Sequence, residues 1–216
     1  MFYEIGTPHG LSHDPFKACI VPRPIGWIST VGADGVNNLA PYSFFNGIAS
    51  DPPMVMYGST GVHAHATPEA PKDTLANITA TGCFVVNVAT WDLRDAMNTS
   101  SLTAPPEVDE FALAGLTPAP SRLVRAPRIK EAPISLECLH HQTIDLPTTE
   151  PGGRNVLVLG RVVGIHIAED VLTDGLIDIA KLRPIARLGY RDYACVAETF
   201  TMTRPAGGDR AAGNAT

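Results

Sequence analysis

An apolar stretch interrupted by prolines places the strongest constraint on how this chain folds. Residues 38–59, NLAPYSFFNGIASDPPMVMYGS, contain Pro41, Pro52 and Pro53 among large apolar side chains, and Asp51 is the only charged residue there. Proline cannot donate to a β-ladder, so a central buried strand does not accommodate it. An exposed loop does not suit so many apolar side chains. The stretch predicts a site with apolar walls, hydroxyl groups and interrupted backbone pairing.

The remaining pattern is dominated by strand-like runs. Asp34-Gly35 is a strong turn signal after the first run, and the segment TDG at residues 173–175 predicts another turn. Gly160 and Gly164 interrupt the last run and predict bulges or barrel bends. The predicted strands are residues 25–31, a second hairpin arm that follows Gly35 and runs until Pro41, and residues 54–59, 83–88, 134–144 and 155–167. Phe44 and Phe45 are interpreted as core residues.

Two short helices are expected between the strands. Residues 72–82, KDTLANITATG, predict a helix with Asp73 or Thr74 as its N-cap and Gly82 as its stop signal. Residues 91–101 predict a second helix, with the apolar residues Leu93 and Met97 spaced at i, i+4. Many strands, tight turns and few helices indicate a mainly β fold, a β-barrel with peripheral helices.

A proline-rich connection and a polar tail complete the organisation. Residues 104–133 predict a long extended connection lying on the body of the protein, because apolar anchors recur along it. The anchors are Phe111, Leu113, Leu116, Leu123, Val124 and Ile129. We expect one domain over residues 1–203, followed by a flexible tail over residues 204–216.

Composition limits the class of protein. Of 216 residues, 44% are hydrophobic and 18% are charged, as in globular proteins. The net charge of -6 argues against a nucleic-acid partner, and no apolar run is long enough to predict a membrane span. The N-terminus does not have the pattern of a signal peptide, so we expect a cytoplasmic protein. The four cysteines form no C-x-x-C pair, which predicts reduced thiols and neither disulfides nor zinc.

Common catalytic motifs are missing from the sequence. It contains neither a triphosphate-binding P-loop nor the G-x-G-x-x-G of a dinucleotide fold. The pairs His63-x-His65 and His140-His141 lack further ligands nearby, so we predict no metal site. On a strand, His140 and His141 would face opposite sides, so at most one would line a pocket.

An anion site is the better candidate from the residues alone. Lys72 precedes the predicted helix, whose N-terminus offers free amides, and Arg23 opens the first strand. Together with nearby hydroxyls these groups could hold a phosphate monoester. The alternative is an ordinary helix cap with an exposed lysine. The hydroxyl side chains are those of Ser29, Thr30, Ser43, Ser50, Ser59 and Thr60.

Several motifs in order resemble one protein family. They are PRPIGWISTVGADGVNNLAPYSFFNGIASDPPMVM, PKDTLANITATGCFVVNV, LGRVVGIHI and RPIARLGYRDYA. Over about residues 15–200 the chain resembles the flavin reductase-like family, the FMN-binding split-barrel group. This group includes flavoredoxins and the reductase components of two-component monooxygenases. The resemblance implies an FMN-binding split β-barrel that forms a homodimer.

The resemblance also implies a set of flavin-binding residues. Pro41 would interrupt strand pairing and free backbone groups for the flavin, and the turn at residues 50–53 would shape the loop. The segment TGVHAHATPEAP, residues 60–71, lacks the basic residue that relatives often carry, which implies weaker phosphate binding. The implied contacts are Arg23, Trp27, Ser29, Ala40, Pro41, Tyr42, Ser43, Lys72, Asp73, Thr74, Arg187 and Gly189.

The function implied by the resemblance is reduction of bound FMN by NADH or NADPH. The cofactors carry the redox chemistry, so no catalytic acid–base pair is required. His140, His141 and Tyr193 are the candidate proton donors. Reduced flavin would serve a partner monooxygenase or a small-molecule acceptor. The alternatives are a non-enzymatic FMN-binding electron carrier or sensor, and a flavin-free binding module.

Overall fold

The structure, a computed structural model, describes residues 1–61, 71–203 and 205, and most of its regular elements are strands. The strands are β1 Arg23–Pro24, β2 Gly26–Val31, β3 Asn37–Tyr42, β4 Phe45–Ser50, β5 Pro53–Ser59, β6 Cys83–Val88, β7 Pro118–Ala119, β8 Arg128–Ile129, β9 Ile134–Leu146, β10 Asn155–Ile167, β11 Leu172–Thr173, β12 Leu176–Ile177, β13 Ile185–Arg187 and β14 Tyr193–Cys195. The helices are α1 Phe16–Cys19, α2 Asp73–Thr81, α3 Arg94–Thr99, α4 Glu110–Leu113 and α5 Ile179–Leu182, with a 3-10 turn at Glu169–Val171. Within these ranges, the helices are too short to cross a bilayer.

A seven-stranded antiparallel sheet curls into a barrel that remains split along one seam. Its strand order is β3-β2-β6-β9-β10-β5-β4, so β3 and β4 are its two edges. These edge strands follow one another in the chain, and only Ser43 and Phe44 connect them. The short connection forces the edges together although no ladder joins them. The Gly58 amide of β5 donates to the Phe44 carbonyl at 2.7 Å, which continues the β4–β5 pairing into this connection.

Strand β2 is buried along its whole length because both of its faces are covered. Alternate side chains of a strand point to opposite faces. Ile28 packs in the barrel interior with Val55, Tyr57, Phe84, Val86, Cys138, Val156 and Val158. Trp27 points to the other face, where it packs with Met97 and Phe111.

Helix α2 lies where the sequence predicted a helix, but its N-cap residue differs from the prediction. Leu75 and Ile78 are buried against the barrel interior, and Gly82 ends the helix with φ 70°. Asp73 and Thr74 are not the N-cap, which corrects the prediction. The N-cap is Lys72, because its backbone is the last extended one (φ -50°, ψ 143°) before the helix, and its side chain makes no capping bond.

Strands β9 and β10 form the longest ladder of the sheet and carry the predicted bulges. The register shifts between Leu159 and Gly160, and again between Val162 and Gly164. The predicted turns are present as well: Gly35 has φ 91°, and residues 173–175 link β11 to β12. The strand predictions at residues 25–31, 54–59 and 83–88 correspond to β2, β5 and β6.

The proline-rich connection lies on the outer face of β2 and β3, as predicted, but it is less extended than expected. It contains α4 and the short β7–β8 ladder. Phe111 and Ile129 are fully buried anchors. Leu113 and Leu123 are exposed, so the prediction that they are anchors was wrong. The remaining predicted anchors, Leu116 and Val124, pack in or against buried clusters.

Two further features complete the comparison with the sequence. Residues 45–50 form the exposed edge strand β4, which the sequence pattern did not identify, and Asp51-Pro52 turns the chain into β5. The four cysteines are free thiols, as predicted. His63 and His65 lie outside the described residues, as does all of the predicted tail except Pro205.

Candidate binding site at the barrel seam

Two adjoining cavities open at the seam between β3 and β4. The larger has a volume of about 510 Å³ and the smaller one of about 320 Å³, both within the usual range for ligand pockets. Pro41, Tyr42 and Lys72 line both cavities. The larger is also lined by Asp14, Phe16, Lys17, Arg23, Ser43, Phe44, Gly58, Thr60, Arg187 and Tyr190. The smaller is also lined by Asn38, Ala40, Asp73, Thr74, Ser100, Ser101, Leu102, Thr103, Ala104 and Glu110.

The split in the barrel explains why space is available here. Pro41 lies in the edge strand β3, where its missing N–H breaks no ladder on the open side. Gly58 lets the chain come close at this point, because a Cβ there would lie 3.1 Å from the Phe44 Cβ. The seam therefore places a proline, hydroxyl groups and an aromatic ring around one opening.

The two cavities differ in charge. The larger has four cationic side chains, those of Lys17, Arg23, Lys72 and Arg187, and one carboxylate, that of Asp14. The smaller has Lys72 as its cation and two carboxyl groups, those of Asp73 and Glu110. The larger cavity is therefore the more favourable of the two for an anion.

Lys72 stands where the two cavities meet, at the N-terminus of α2. Its Nζ donates to the Thr60 carbonyl at 2.9 Å, and burial lowers the pKa of the ammonium group. Thr74 is held inside the first turn of α2, where its hydroxyl donates to the Asn38 Oδ1 at 2.7 Å. A helix N-terminus beside a cation favours a negatively charged group.

Tyr42 provides a phenol to the wall between the cavities. Its ring lies 4.6 Å from that of Tyr57, centroid to centroid, within the barrel core. Burial raises the pKa of Tyr42 to about 12, partly offset by hydrogen bonding with Thr74 and Ser59. The Tyr42 hydroxyl therefore keeps its proton at neutral pH.

Glu110 is a buried carboxyl group in the smaller cavity. Its Oε2 accepts from the Asn38 Nδ2 at 3.2 Å and from the Leu39 amide at 3.1 Å. Burial raises the pKa of Glu110, and these hydrogen bonds oppose the rise. The contacts attach α4 to the unpaired edge of β3 and so hold one wall of the site.

The seam brings together most of the residues that the resemblance implied. Six of the implied residues line the larger cavity: Arg23, Pro41, Tyr42, Ser43, Lys72 and Arg187. Ala40, Asp73 and Thr74 line the smaller one. The arrangement combines the apolar surface and hydroxyl groups that the stretch at residues 38–59 predicted with positive charge from Arg23, Lys72 and Arg187.

Trp27 and Ser29 lie away from both cavities, which corrects their assignment as flavin contacts. Both are fully buried on the outer face of β2. The Trp27 Nε1 donates to the Ser100 hydroxyl at 2.8 Å, and the Ser29 hydroxyl donates to the Pro127 carbonyl at 2.6 Å. Packing under the proline-rich connection therefore leaves neither side chain accessible to a ligand.

The three candidate proton donors also lie outside the two seam cavities. His140 lines a separate cavity beside α2, and its Nε2 lies 2.9 Å from the Thr143 hydroxyl. His141 is exposed on the neighbouring position of β9. Tyr193 lines another cavity, and its hydroxyl accepts a 2.5 Å hydrogen bond from the Arg187 Nη1. None of the three lines either seam cavity, although Tyr193 contacts Arg187 of the larger one, so their roles as proton donors stay predictions.

Gly189 acts in packing and lines neither seam cavity. A Cβ at this position would lie 2.5 Å from the Ala18 Cβ, so glycine is required for α1 to approach. The approach of α1 carries Phe16 and Lys17 to the larger cavity. Sequence analysis missed both residues because nothing in the sequence around them indicates this docking.

Other lining residues were missed for similar reasons. Phe44 was interpreted as core, yet it lines the larger cavity. Tyr190 reaches this cavity from a tight turn in which its own φ is 55°. Residues 100–103, at the end of the predicted second helix, are rich in hydroxyl groups. This run was the sequence feature that could have indicated these lining residues of the smaller cavity.

Comparisons with known proteins agree with this fold. An uncharacterized protein of Halalkalibacterium halodurans is 39% identical over 189 residues, which cover 86% of this chain and 87% of that protein. Nitrilotriacetate monooxygenase component B from Bacillus cereus has a similar structure, with a TM-score of 0.78 and 33% identity, covering 91% of this chain and 100% of that chain. The 2-nitrobenzoate 2-nitroreductase of Pseudomonas fluorescens gives a TM-score of 0.75 at 27% identity, covering 88% of each chain.

The family match spans most of the chain. Residues 18–185 match the flavin reductase like domain. The observed barrel, mainly β and split at one seam, is the fold expected from the resemblance, and split-barrel domains occur among the similar structures. The chain belongs to the flavin reductase-like family.

Proposed function

We propose that the protein binds FMN in the two seam cavities and that NADH or NADPH reduces the flavin there. The observation that carries the proposal is the meeting of both cavities at Pro41, Tyr42 and Lys72, in a chain of the flavin reductase-like family. These three residues come from two elements, because Pro41 and Tyr42 lie in β3 and Lys72 precedes α2, and the fold brings both elements to one opening. A small-molecule cofactor with both flat and charged parts suits such an opening.

The residues of the seam fit the chemical parts of FMN. Its flat ring system needs apolar walls, which Pro41 and Phe44 provide. Its hydroxylated chain needs hydrogen-bonding groups, and Ser43 and Thr60 lie along the same cavity. Its phosphate needs positive charge, which Lys72 and the N-terminus of α2 supply. The carboxyl groups of Asp73 and Glu110 in the smaller cavity would weaken phosphate binding. The lack of a basic residue in the segment 60–71 implied the same effect.

When bound, FMN supplies the hydride-accepting chemistry, and the protein supplies binding and orientation. Tyr42 offers a protonated hydroxyl as a hydrogen-bond donor, and burial raises its pKa further above neutral, to about 12. Lys72 offers a fixed positive charge at the junction of the cavities. The ring of Phe44 and the Pro41 backbone exclude water from one side of the opening. No acid–base residue of the chain is required for this half-reaction.

The electrons have two proposed destinations. One relative by structure is a monooxygenase component, which supports transfer of reduced flavin to a partner monooxygenase. Another is a nitroreductase, which supports direct reduction of a small acceptor. We further propose that the protein is a homodimer, as the family resemblance implied, and that it is cytoplasmic, as the expectation of reduced thiols implied. Sedimentation velocity at two protein concentrations tests the dimer directly.

The first experiment is an absorbance spectrum of the purified protein with FMN, followed by NADH in the absence of oxygen. We expect a flavin spectrum that bleaches on addition of NADH or NADPH. Protein that is colourless alone but oxidises NADH when FMN is supplied would indicate that flavin exchanges freely. A flavin spectrum that neither nucleotide changes would contradict the enzyme and leave an electron carrier. Protein that takes up no FMN would contradict the flavin site itself.

The variant Lys72→Ala tests the phosphate end of the site. Loss of one charge-assisted contact should weaken FMN binding by roughly tenfold and leave riboflavin binding nearly unchanged, because riboflavin has no phosphate. The matched control is Lys130→Ala, at an exposed lysine remote from both cavities. Flavin fluorescence titration measures both ligands. Equal weakening of FMN and riboflavin would show that Lys72 does not act on the phosphate.

A further inference from the structure

The larger cavity carries more positive charge than one phosphate group needs. The protein as a whole has a net charge of -6, yet this cavity has four cationic side chains and one carboxylate. Lys72 stands at the junction with the smaller cavity, whereas Lys17, Arg23 and Arg187 line the larger cavity alone. A local cationic field on an acidic protein attracts anions to that point.

Arg23 and Arg187 face one another across a β-ladder. They are paired residues of β1 and β13, where like charges normally destabilise a sheet. Burial lowers the pKa of Arg23, and the charge of Arg187 lowers it further. Both guanidinium groups remain charged at neutral pH. A bound anion between them would relieve the repulsion.

Arg23 is fixed in place but keeps free hydrogen-bonding capacity. Only 5% of the residue is exposed. Its Nη1 donates to the carbonyls of Lys17 and Ile20, and its Nη2 donates to the Leu188 carbonyl at 2.9 Å. Its Nε has no hydrogen-bond partner within the described part of the chain. The remaining hydrogen-bonding capacity towards the cavity lies on its Nη2, because the Nε is buried.

Arg187 is also oriented by its neighbours. Its Nη2 donates to the Tyr190 carbonyl at 2.5 Å, and its guanidinium lies 4.6 Å from the centre of the Tyr193 ring. The exposed rings of Phe16 and Tyr190 lie on the same cavity. Aromatic surface beside two arginines suits a ligand that carries both a flat ring and a negative charge.

We propose that Arg23, Arg187 and Lys17 form a second anion-binding site, separate from the flavin phosphate, for the molecule that exchanges electrons with the flavin. The ligand chemistry is an anionic group attached to an aromatic ring system. It has two sources: the pyrophosphate of a nicotinamide dinucleotide, or the carboxylate of an acidic aromatic acceptor. The identity of the ligand rests on the proposed flavin function, whereas the existence of the anion site does not.

The anion site is tested by titrating inorganic pyrophosphate into the protein, with and without saturating FMN, by isothermal titration calorimetry. Arg187→Gln and Lys17→Gln should each weaken pyrophosphate binding about tenfold or more. The matched control Arg191→Gln removes an exposed arginine of the same turn that lines neither cavity, and should leave binding unchanged. Lys17 lies on the surface, so its variant serves even if Arg187→Gln fails to fold.

The two titrations separate this site from the flavin phosphate site. Pyrophosphate binding that persists in saturating FMN supports a second site. Binding that FMN abolishes, or that neither variant weakens, overturns the proposal. Because the titration without FMN needs no enzyme activity, it can succeed even if the flavin function fails.

Kinetics with charged and neutral substrates distinguish the two sources of the anion. If the site serves the nucleotide, Arg187→Gln should raise KM for NADH about tenfold. KM for 1-benzyl-1,4-dihydronicotinamide should not change, because this reductant has no pyrophosphate. If the site serves the acceptor, KM should rise for nitrobenzoate but not for nitrobenzene. Equal effects on the charged and neutral member of each pair would overturn the proposal.

Discussion

Glu137 is a fully buried carboxylate, held by four donors from two parts of the chain. Its oxygens accept from the amides of Arg122, Leu123 and Val124 and lie 2.5 Å from the His166 Nε2. Burial alone would raise the pKa of Glu137, but the amide and His166 contacts outweigh it and hold the pKa below its usual value. One side chain thereby attaches the proline-rich connection to β9.

We predict that Glu137→Gln destabilises the fold by about 2 kcal/mol at pH 7, because the neutral amide keeps only one acceptor oxygen and turns its NH2 group towards backbone N–H donors. A carboxyl group whose pKa is lowered by folding stabilises the protein above its unfolded pKa, and this contribution is lost as the pH falls through the folded value. The difference between the two proteins should therefore shrink below about pH 4. Urea unfolding at a series of pH values measures it.

The exposed carboxylate Glu107 provides the control for this measurement. Glu107→Gln should leave the free energy of unfolding within about 0.5 kcal/mol at each pH, as for most surface changes. A Glu137→Gln effect that does not vary with pH would show that the loss comes from packing and that the charge of the carboxylate is not involved.

Single residues also show where sequence analysis reached its limit. Pro41, Tyr42 and Ser43 line the larger cavity, and the stretch that contains them stood out in the sequence because its prolines and hydroxyls conflict with an ordinary core strand. Trp27 and Ser29 were assigned to that site wrongly. The alternation of β2 defines two faces, but only the long-range packing of residues 104–133 shows that their face is covered.

At the scale of elements, the packing of β10 against the barrel interior depends on a close contact at the first bulge of the β9–β10 ladder. The contact is between Gly160 and the ring of Phe84. A Cβ on Gly160 would lie 2.3 Å from the Phe84 Cζ, and Phe84 is fully buried in the barrel interior. The aromatic ring occupies the space that any side chain at this position would need. The bulge and the missing side chain together let β10 pass over the ring.

We predict that Gly160→Ala destabilises the protein by about 2 kcal/mol, the usual effect of overpacking a core. The control is Gly47→Ala in the exposed edge strand β4, where the nearest atom to the new Cβ lies at 4.0 Å. That change should alter the free energy of unfolding by less than about 0.5 kcal/mol. Chemical denaturation followed by tryptophan fluorescence compares the two. Similar stabilities for both variants would show that Phe84 can move aside.

Elements with strong local signals were predicted, and those defined by distant contacts were not. Helix α2 has an apolar pair at i, i+3 and a glycine that ends it, and strand β6 is a continuous apolar run. Strand β4 has neither, because it is an exposed edge whose pairing with β5 is set by the turn between them. The position of α1 depends on its contact with Gly189, 171 residues after Ala18 (189 − 18), which no local pattern encodes.

For the molecule as a whole, the seam is the place where the barrel has the least backbone pairing. Its edges β3 and β4 are joined by the connection through Ser43 and Phe44, and no ladder links them. The binding cavities occupy this same region. A ligand bound there contacts both sides of the seam, so binding and barrel stability should be coupled.

We therefore predict that FMN raises the melting temperature of the whole protein. A ligand that binds only the folded state stabilises it by about 2.7 kcal/mol at a concentration of 100 times Kd. Hydrogen exchange should slow most at the amides of residues 40 and 42–44, because these residues line the cavities at the seam. Riboflavin should stabilise less than FMN, because it lacks the phosphate that Lys72 attracts. Uniform protection across the barrel, without a maximum at the seam, would place the flavin elsewhere.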